Sequence, residues 1–288
     1  MTGPWQQEFV ARGNDRIGIQ IYPEPDGVTQ APVVVIFPAM GVPARYYQPF
    51  ATALRAAGLA VVVADLRGTG ASTPRPSRTS RYGYAELVAD VGAVLEALKP
   101  RLDGRTRVLL GHSLGGQASL LHLALHGDGT VDGLVLVAVA RPYWRLYPGV
   151  GRYVVFAYTQ AIVAATKLLG WWPGWTFGGV QSRGVIRDWG YTARTGRFPR
   201  IDGADADAAL ASVRTPVLAV SVDDDRYTPA EVIDQLCRDL SAAPVRREHY
   251  TVAEAGAPLD HFRWVRAGAP LAARVADFVK SLSKGLPR

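Results

Sequence analysis

The sequence predicts an α/β fold: a mostly parallel, eight-stranded sheet flanked by helices. Three observations carry this prediction. Short aliphatic runs alternate with helix-like stretches along most of the 288 residues, the order that right-handed crossovers impose on a parallel sheet. Several of the runs are continuously apolar rather than alternating, as strands covered on both faces must be. Glycine-rich turns follow several of these runs at the ends where open α/β sheets bind their ligands.

Each element can be justified in turn. "QQEFVAR" and "RIGIQIY" alternate enough to form a leading hairpin. "APVVVIFP" is a buried strand, and "RYYQPFATALRAAG" a helix stopped by Gly58. "LAVVVADLRGTGAS" is a second buried strand closed by glycines. "YAELVADVGAVLEALK" is an amphipathic helix, "TRVLLGHS" a strand, "LGGQASLLHLALHG" a helix and "VDGLVLVAVA" a strand. The rhythm breaks from Arg141 to about Val213. It resumes with the strand "TPVLAVSVDDD", the helix "PAEVIDQLCRDL", the strand "VRREHYTV" and the helix "APLAARVADFVKSL". No internal repeat or low-complexity linker interrupts the chain. Residues 1–140 and 214–288 therefore form one core, and residues 141–213 an insertion carried on it.

Composition narrows the class of function. With 48% apolar and 20% charged residues, the chain can bury a core and is not intrinsically disordered. One cysteine, Cys237, excludes an internal disulfide framework and fits a reducing compartment; in its amphipathic stretch it reads as buried filler. The start has no basic segment followed by an apolar one, and no apolar run reaches the length of a membrane span. A cytoplasmic protein is expected. Net charge is +7, but the arginines are scattered and accompany no nucleic-acid motif, so no nucleic-acid partner is expected.

Ser113 stands in "GHSLGG", where a buried strand meets a helix. The pattern G-x-S-x-G is short enough to arise by chance, so its setting has to carry the argument. A strand-to-helix reversal within one or two residues forces the serine into strained geometry, with Gly111 and Gly115 letting the flanking chains pass. The following helix directs unpaired N–H groups and its positive end at the hydroxyl. The Leu114 N–H is then one donor to a developing oxyanion. Such a serine needs a base, itself held by a third group. His112 is adjacent but should point away; His122 and His126 lie four apart on a helix face, and His249 sits in a strand. That leaves His261, in the loop "GAPLDHFRWVR" before the last helix. The acid should follow a strand end between serine and histidine. Of Asp223, Asp224 and Asp225, spacing to Pro229 favours Asp225, with Asp224 the alternative.

With these positions assembled, the sequence resembles the α/β-hydrolase superfamily over nearly its full length. It is most similar to the serine-hydrolase branch that includes monoacylglycerol lipases and serine aminopeptidases, and there to a bacterial group marked by "PAMGVPARYY", "DLRGTGAS", "GHSLGGQA" and "DHFRWVR". These motifs are specific for fold and machinery and weakly specific for substrate. The resemblance implies an oxyanion loop after the third strand. The family's H-G-x-x-G reads Phe37-Pro38-Ala39-Met40-Gly41 here, so matching Gly41 makes the Ala39 N–H the second donor, with Met40 the alternative. Asp260 stands where the family usually has glycine before the histidine. Asp65 and Arg67 of "DLRGTGAS" read as structural ties. The insertion after the sixth strand falls where the superfamily places its helical cap, and it holds Trp144, Trp171, Trp172, Trp175 and Trp189. These are expected to line an apolar pocket over Ser113 or to pack on the core. Arg183 and Arg187 could meet an anionic group there.

The implied activity is hydrolysis of a hydrophobic ester, thioester or lactone through an acyl-serine, without metal or cofactor. The alternative is a biosynthetic lyase, cyclase or acyltransferase using the same residues on a natural-product intermediate. The expected partner is a small hydrophobic acyl substrate, and an aromatic lid could also support a homodimer.

Overall fold

The computed structural model describes residues 4–127 and 129–285. A hairpin of β1 (Gln6–Arg12) and β2 (Asp15–Ile21) leads into β3 (Val33–Phe37), α1 (Gln48–Ala56), β4 (Ala60–Ala64), α2 (Tyr84–Leu102), β5 (Arg107–His112), α3 (Leu114–His126) and β6 (Gly133–Val137). The insertion then carries α4 (Gly151–Leu169), the two-residue strands β7 (Trp171–Trp172) and β8 (Gln181–Ser182), α5 (Arg183–Thr195) and α6 (Ala206–Leu210). The chain closes through β9 (Val217–Val222), α7 (Ala230–Asp239), β10 (Val245–Tyr250), α8 (Val252–Ala255) and α9 (Ala269–Gly285).

Eight strands form one sheet in the order β1-β2-β4-β3-β5-β6-β9-β10. Pairing is antiparallel at β1–β2 and β2–β4, and parallel from β4 to β10. This is the predicted α/β-hydrolase arrangement. The continuously apolar strands β3, β4, β6 and β9 are buried at every residue, because helices cover both faces of the sheet.

Two elements differ from the sequence reading. The first helix begins as a 3-10 turn over Ala44–Tyr47, and its α-helical part starts only at Gln48, with proline in its first turn. α2 continues past Lys99 through Pro100 to Leu102. Between β6 and β9, Gly170, at φ 83°, closes α4 in a left-handed C-terminal turn. The chain then enters the β7–β8 hairpin.

The insertion is tied to the core by buried polar contacts. Asp188 of α5 accepts from the Tyr84 N–H at 2.9 Å, satisfying a donor at the start of α2. Ile162, Trp172, Val185, Ile186 and Trp189 join the same hydrophobic cluster as β3, β5 and β6. The loop after β4 is pinned as expected. Asp65 accepts from the N–H groups of Ala44 (2.6 Å) and Ala71 (2.8 Å). Arg67 holds Asp90 through two bonds (2.8 and 2.6 Å) and Asp15 through a third (3.0 Å).

Candidate active site

Ser113 sits between β5 and α3 at φ 51°, ψ −119°, a region that non-glycine residues occupy only under constraint. The crowding behind this turn explains its glycines. A Cβ on Gly115 would lie 2.2 Å from the Phe37 carbonyl, and one on Gly111 would lie 2.1 Å from the Gly116 Cα. The backbone at Ser113 is held by its N–H to the Val137 carbonyl (3.2 Å), while its carbonyl accepts from Gln117 (3.0 Å). Its hydroxyl makes no hydrogen bond among the described residues and opens into a cavity of about 190 Å³.

His261 lines the same cavity. Its Nδ1 is 2.8 Å from Asp225 Oδ2, and both side chains are buried. Asp225 follows β9 and is fastened from three sides: its Oδ1 accepts from the N–H groups of Tyr227 (2.8 Å) and Thr228 (2.9 Å), and its Oδ2 accepts from the Thr228 hydroxyl. Burial pushes this carboxyl up, but the bonds from His261 and Thr228 outweigh burial and hold it below the usual carboxylate range. The carboxylate therefore stays ionised beside the imidazole.

The neighbouring aspartates are used differently. Asp224, the alternative acid, is exposed at φ 58° in the turn. Asp223 pairs with His249 Nε2 (2.8 Å) and accepts from the Val252 N–H (2.7 Å) at the start of α8. Asp260 accepts from the N–H groups of Phe262 and Arg263, both at 2.7 Å. It thereby shapes the loop that carries His261.

His112 turns away from the cavity, as its place in the turn implies, yet its ring ends up 4.9 Å from that of His261. Its Nδ1 is 2.6 Å from Tyr47 Oη, and Trp264 Nε1 lies 3.4 Å from its Nε2. Complete burial, with the adjacent His261 second, pushes its pKa well below that of a free histidine. His112 thus stays neutral, and His261 is the imidazole of this pair that faces the cavity. Tyr47, His112 and Trp264 form a support that sequence reading did not find. Its members are 65 and 152 residues apart, and no local pattern announces them.

The loop expected to hold the oxyanion is arranged differently from the sequence reading. The Ala39 N–H, expected as a second donor, instead donates to Tyr47 Oη at 2.9 Å and faces the interior. Among the described residues no hydrogen bond engages the N–H of Met40, the alternative. The Leu114 N–H lies in the first turn of α3, where helical N–H groups have no intrahelical partner. The loop is pressed from outside by the insertion: a Cβ on Gly41 would meet the Gly178 carbonyl at 2.2 Å.

The tryptophans also divide. Only Trp189 lines the cavity, with Tyr147, Val154, Val155, Tyr158 and Phe177, and it stacks on Phe177 at 5.2 Å. Trp172 is buried in the core and donates to the Phe177 carbonyl (2.7 Å). Trp144 packs on Tyr153 and Phe156, Trp171 is half-buried, and Trp175 is exposed. Arg187 pairs with Asp188 (2.7 Å), and neither it nor Arg183 lines the cavity. Cys237 is half-buried, with burial raising its thiol pKa.

Residues 29–253 match the family described as serine aminopeptidase, S33. This span includes Ser113 and Asp225 and ends before His261. A Variovorax paradoxus (strain S110) protein that carries the name carbamate hydrolase RutD is 28% identical over 217 residues, covering 72% of this chain and 79% of its own. Among solved structures, a soluble variant of monoglyceride lipase from Saccharomyces cerevisiae superposes with a TM-score of 0.70 at 14% identity, over 98% of this chain and 97% of that one. An esterase from Exiguobacterium antarcticum gives 0.68 at 18% identity, over 96% and 100%. The extent of the family match, on a sheet of this topology, places the chain: it belongs to the serine aminopeptidase (S33) family of α/β-fold hydrolases.

Proposed function

We propose that this protein is a serine hydrolase that cleaves a hydrophobic carboxylic ester, thioester or lactone through an acyl-serine intermediate. One observation carries the reading: a buried His261–Asp225 pair at 2.8 Å shares an apolar cavity with a strained serine at a helix N-terminus.

In this reading His261 takes the Ser113 proton as Oγ attacks the carbonyl carbon, the two side chains closing on each other when substrate fills the cavity. Asp225 orients the imidazole and stabilises its protonated form. The tetrahedral oxyanion accepts hydrogen bonds from the N–H groups of Leu114 and Met40, Met40 replacing Ala39 because the latter's donor is committed to Tyr47. The leaving alcohol or thiol takes the proton from His261. Water, deprotonated by the same residue, then releases the acid and regenerates the serine. Residues 141–213 act as the cap, and the chain works in the cytoplasm.

The cavity also bears on substrate size. At about 190 Å³ it lies below the roughly 300–1,000 Å³ of common ligand sites. A short acyl group fits, and a long one requires α4 to move. The test is a fluorophosphonate probe combined with p-nitrophenyl esters of graded chain length. The reading predicts labelling at Ser113 and fastest turnover of short esters. Labelling without turnover of any ester would reject hydrolysis, and absence of labelling would reject the nucleophile.

A further inference from the structure

The outward face of α4 has no cover. Val150 is 82% exposed, Val154 67%, Leu168 88% and, beyond the helix, Trp175 68%, with Tyr153, Ala157, Ala161 and Ala164 exposed between them. This row runs the length of a 19-residue helix of which only Thr159, Ile162 and Thr166 are buried. An apolar face of this extent marks an interaction site. The charges around it indicate the partner. From Gly133 to Arg187 the chain has five arginines and one lysine and no aspartate or glutamate. Arg145 and Lys167 are exposed, and Arg152 is half-buried in the first turn of α4. Between α4 and α5 lies a second cavity, of about 290 Å³, lined by Lys167, Arg183 and Arg187 with Val163, Thr166 and Ile186. Arg187 is paired with Asp188, and Arg141, outside this pocket, with Asp207 and Asp239; among the described residues no ion pair engages Lys167 or Arg183.

We propose that α4 lies in the surface of an anionic lipid bilayer, its apolar face among the acyl chains and a lipid phosphate in the Lys167–Arg183 pocket. An exposed apolar helix flanked by cations and free of carboxylates is the arrangement that binds such an interface. A second copy of this chain fits less well, because two such faces would bring like charges together. Val154, Val155 and Tyr158 of the same helix form part of the wall of the Ser113 cavity. Docking therefore sets that cavity beside the acyl chains; this last consequence rests on the proposed ester chemistry, whereas docking itself does not.

The test is vesicle flotation of the full chain carrying Ser113→Ala, so that no hydrolysis alters the lipid. Phosphatidylcholine vesicles with and without phosphatidylglycerol are compared at low and high salt. The protein should float with the anionic vesicles, and salt should weaken this. Val150→Asp with Leu168→Asp, or Lys167→Glu with Arg183→Glu, should each lower the partition by more than about tenfold. Unchanged thermal melting of these surface variants would show that they fold. Failure to float with any vesicle overturns the proposal, as does equal binding to neutral and anionic vesicles. A concentration-dependent dimer, dispersed by Leu168→Asp and indifferent to lipid, would assign the face to a second copy instead. Loss of Ser113 labelling in the wild-type chain would sink the proposed chemistry and leave the flotation result standing.

Discussion

At the ends of β9 and β5, side chains are held from several directions: Asp225 takes hydrogen bonds from Tyr227, Thr228 and His261, and His112 sits between Tyr47, Trp264 and His261. Along α4, which walls the same cavity, only Thr159, Ile162 and Thr166 are buried. The contrast teaches where each kind of specification lives. The proposed proton transfer demands atoms fixed to within a few tenths of an ångström, and these strand ends hold Asp225 and His112 by several contacts each. The proposed choice of substrate demands a surface that can be exchanged, and α4, with Thr159, Ile162 and Thr166 buried, is one that the core does not lock.

Breaking the rigid region should therefore cost most. Asp225→Asn should lower kcat on a short p-nitrophenyl ester by about 10⁴-fold, because the amide no longer enforces the imidazole tautomer. Asp224→Asn, one residue earlier in the exposed turn, should leave kcat unchanged. Equal effects of the two would break the assignment. Next in size is the division among the tryptophans. Trp189→Ala empties a site in the cavity wall and should cost about 3–5 kcal/mol in a denaturant melt. Trp175→Ala should stay within about 0.5 kcal/mol.

Much of the rigid region is legible in the sequence, for a physical reason. A nucleophile turn needs glycines at fixed offsets, and its partners must follow other strand ends, so the proposed set of Ser113, Asp225 and His261 follows from local pattern and chain order. The expected oxyanion loop could not be placed in the same way. With Phe37 and Pro38 where the resemblance implies histidine and glycine, the register rests on Gly41 alone. The bond that decides it, Ala39 N–H to Tyr47 Oη, is a tertiary contact between the loop and the 3-10 turn before α1. The tryptophans of the insertion were opaque because hydrophobicity marks a residue for burial without saying against what. Trp172 and Trp175 lie three apart, yet one is in the core and the other in solvent.

Smaller effects sharpen the account of buried groups. His122 is buried between α3 and α2, and burial, then the charge of His126, pushes it down to about 4. The unfolded chain takes up this proton near pH 6.5 and the folded chain does not. Stability is thus complete above about pH 6.5 and is lost as pH falls toward 4, by up to roughly 3 kcal/mol. Thermal melts of His122→Leu should show a flatter acid slope than wild type; parallel slopes would contradict the shift. Tyr47→Phe should cost about 1–3 kcal/mol by leaving the Ala39 N–H unpaired. It should also slow turnover with little change in KM, since it loosens the loop and the support behind His261 without touching the cavity.

The central claim is that Ser113 is the reacting atom's carrier. Intact-mass and peptide mass spectrometry after exposure to a fluorophosphonate tests it most directly. The account predicts one adduct, on the peptide containing Ser113, formed fast in the wild type and absent from Ser113→Ala, with ester hydrolysis lost in step. An adduct elsewhere, or hydrolysis that survives Ser113→Ala, would contradict it.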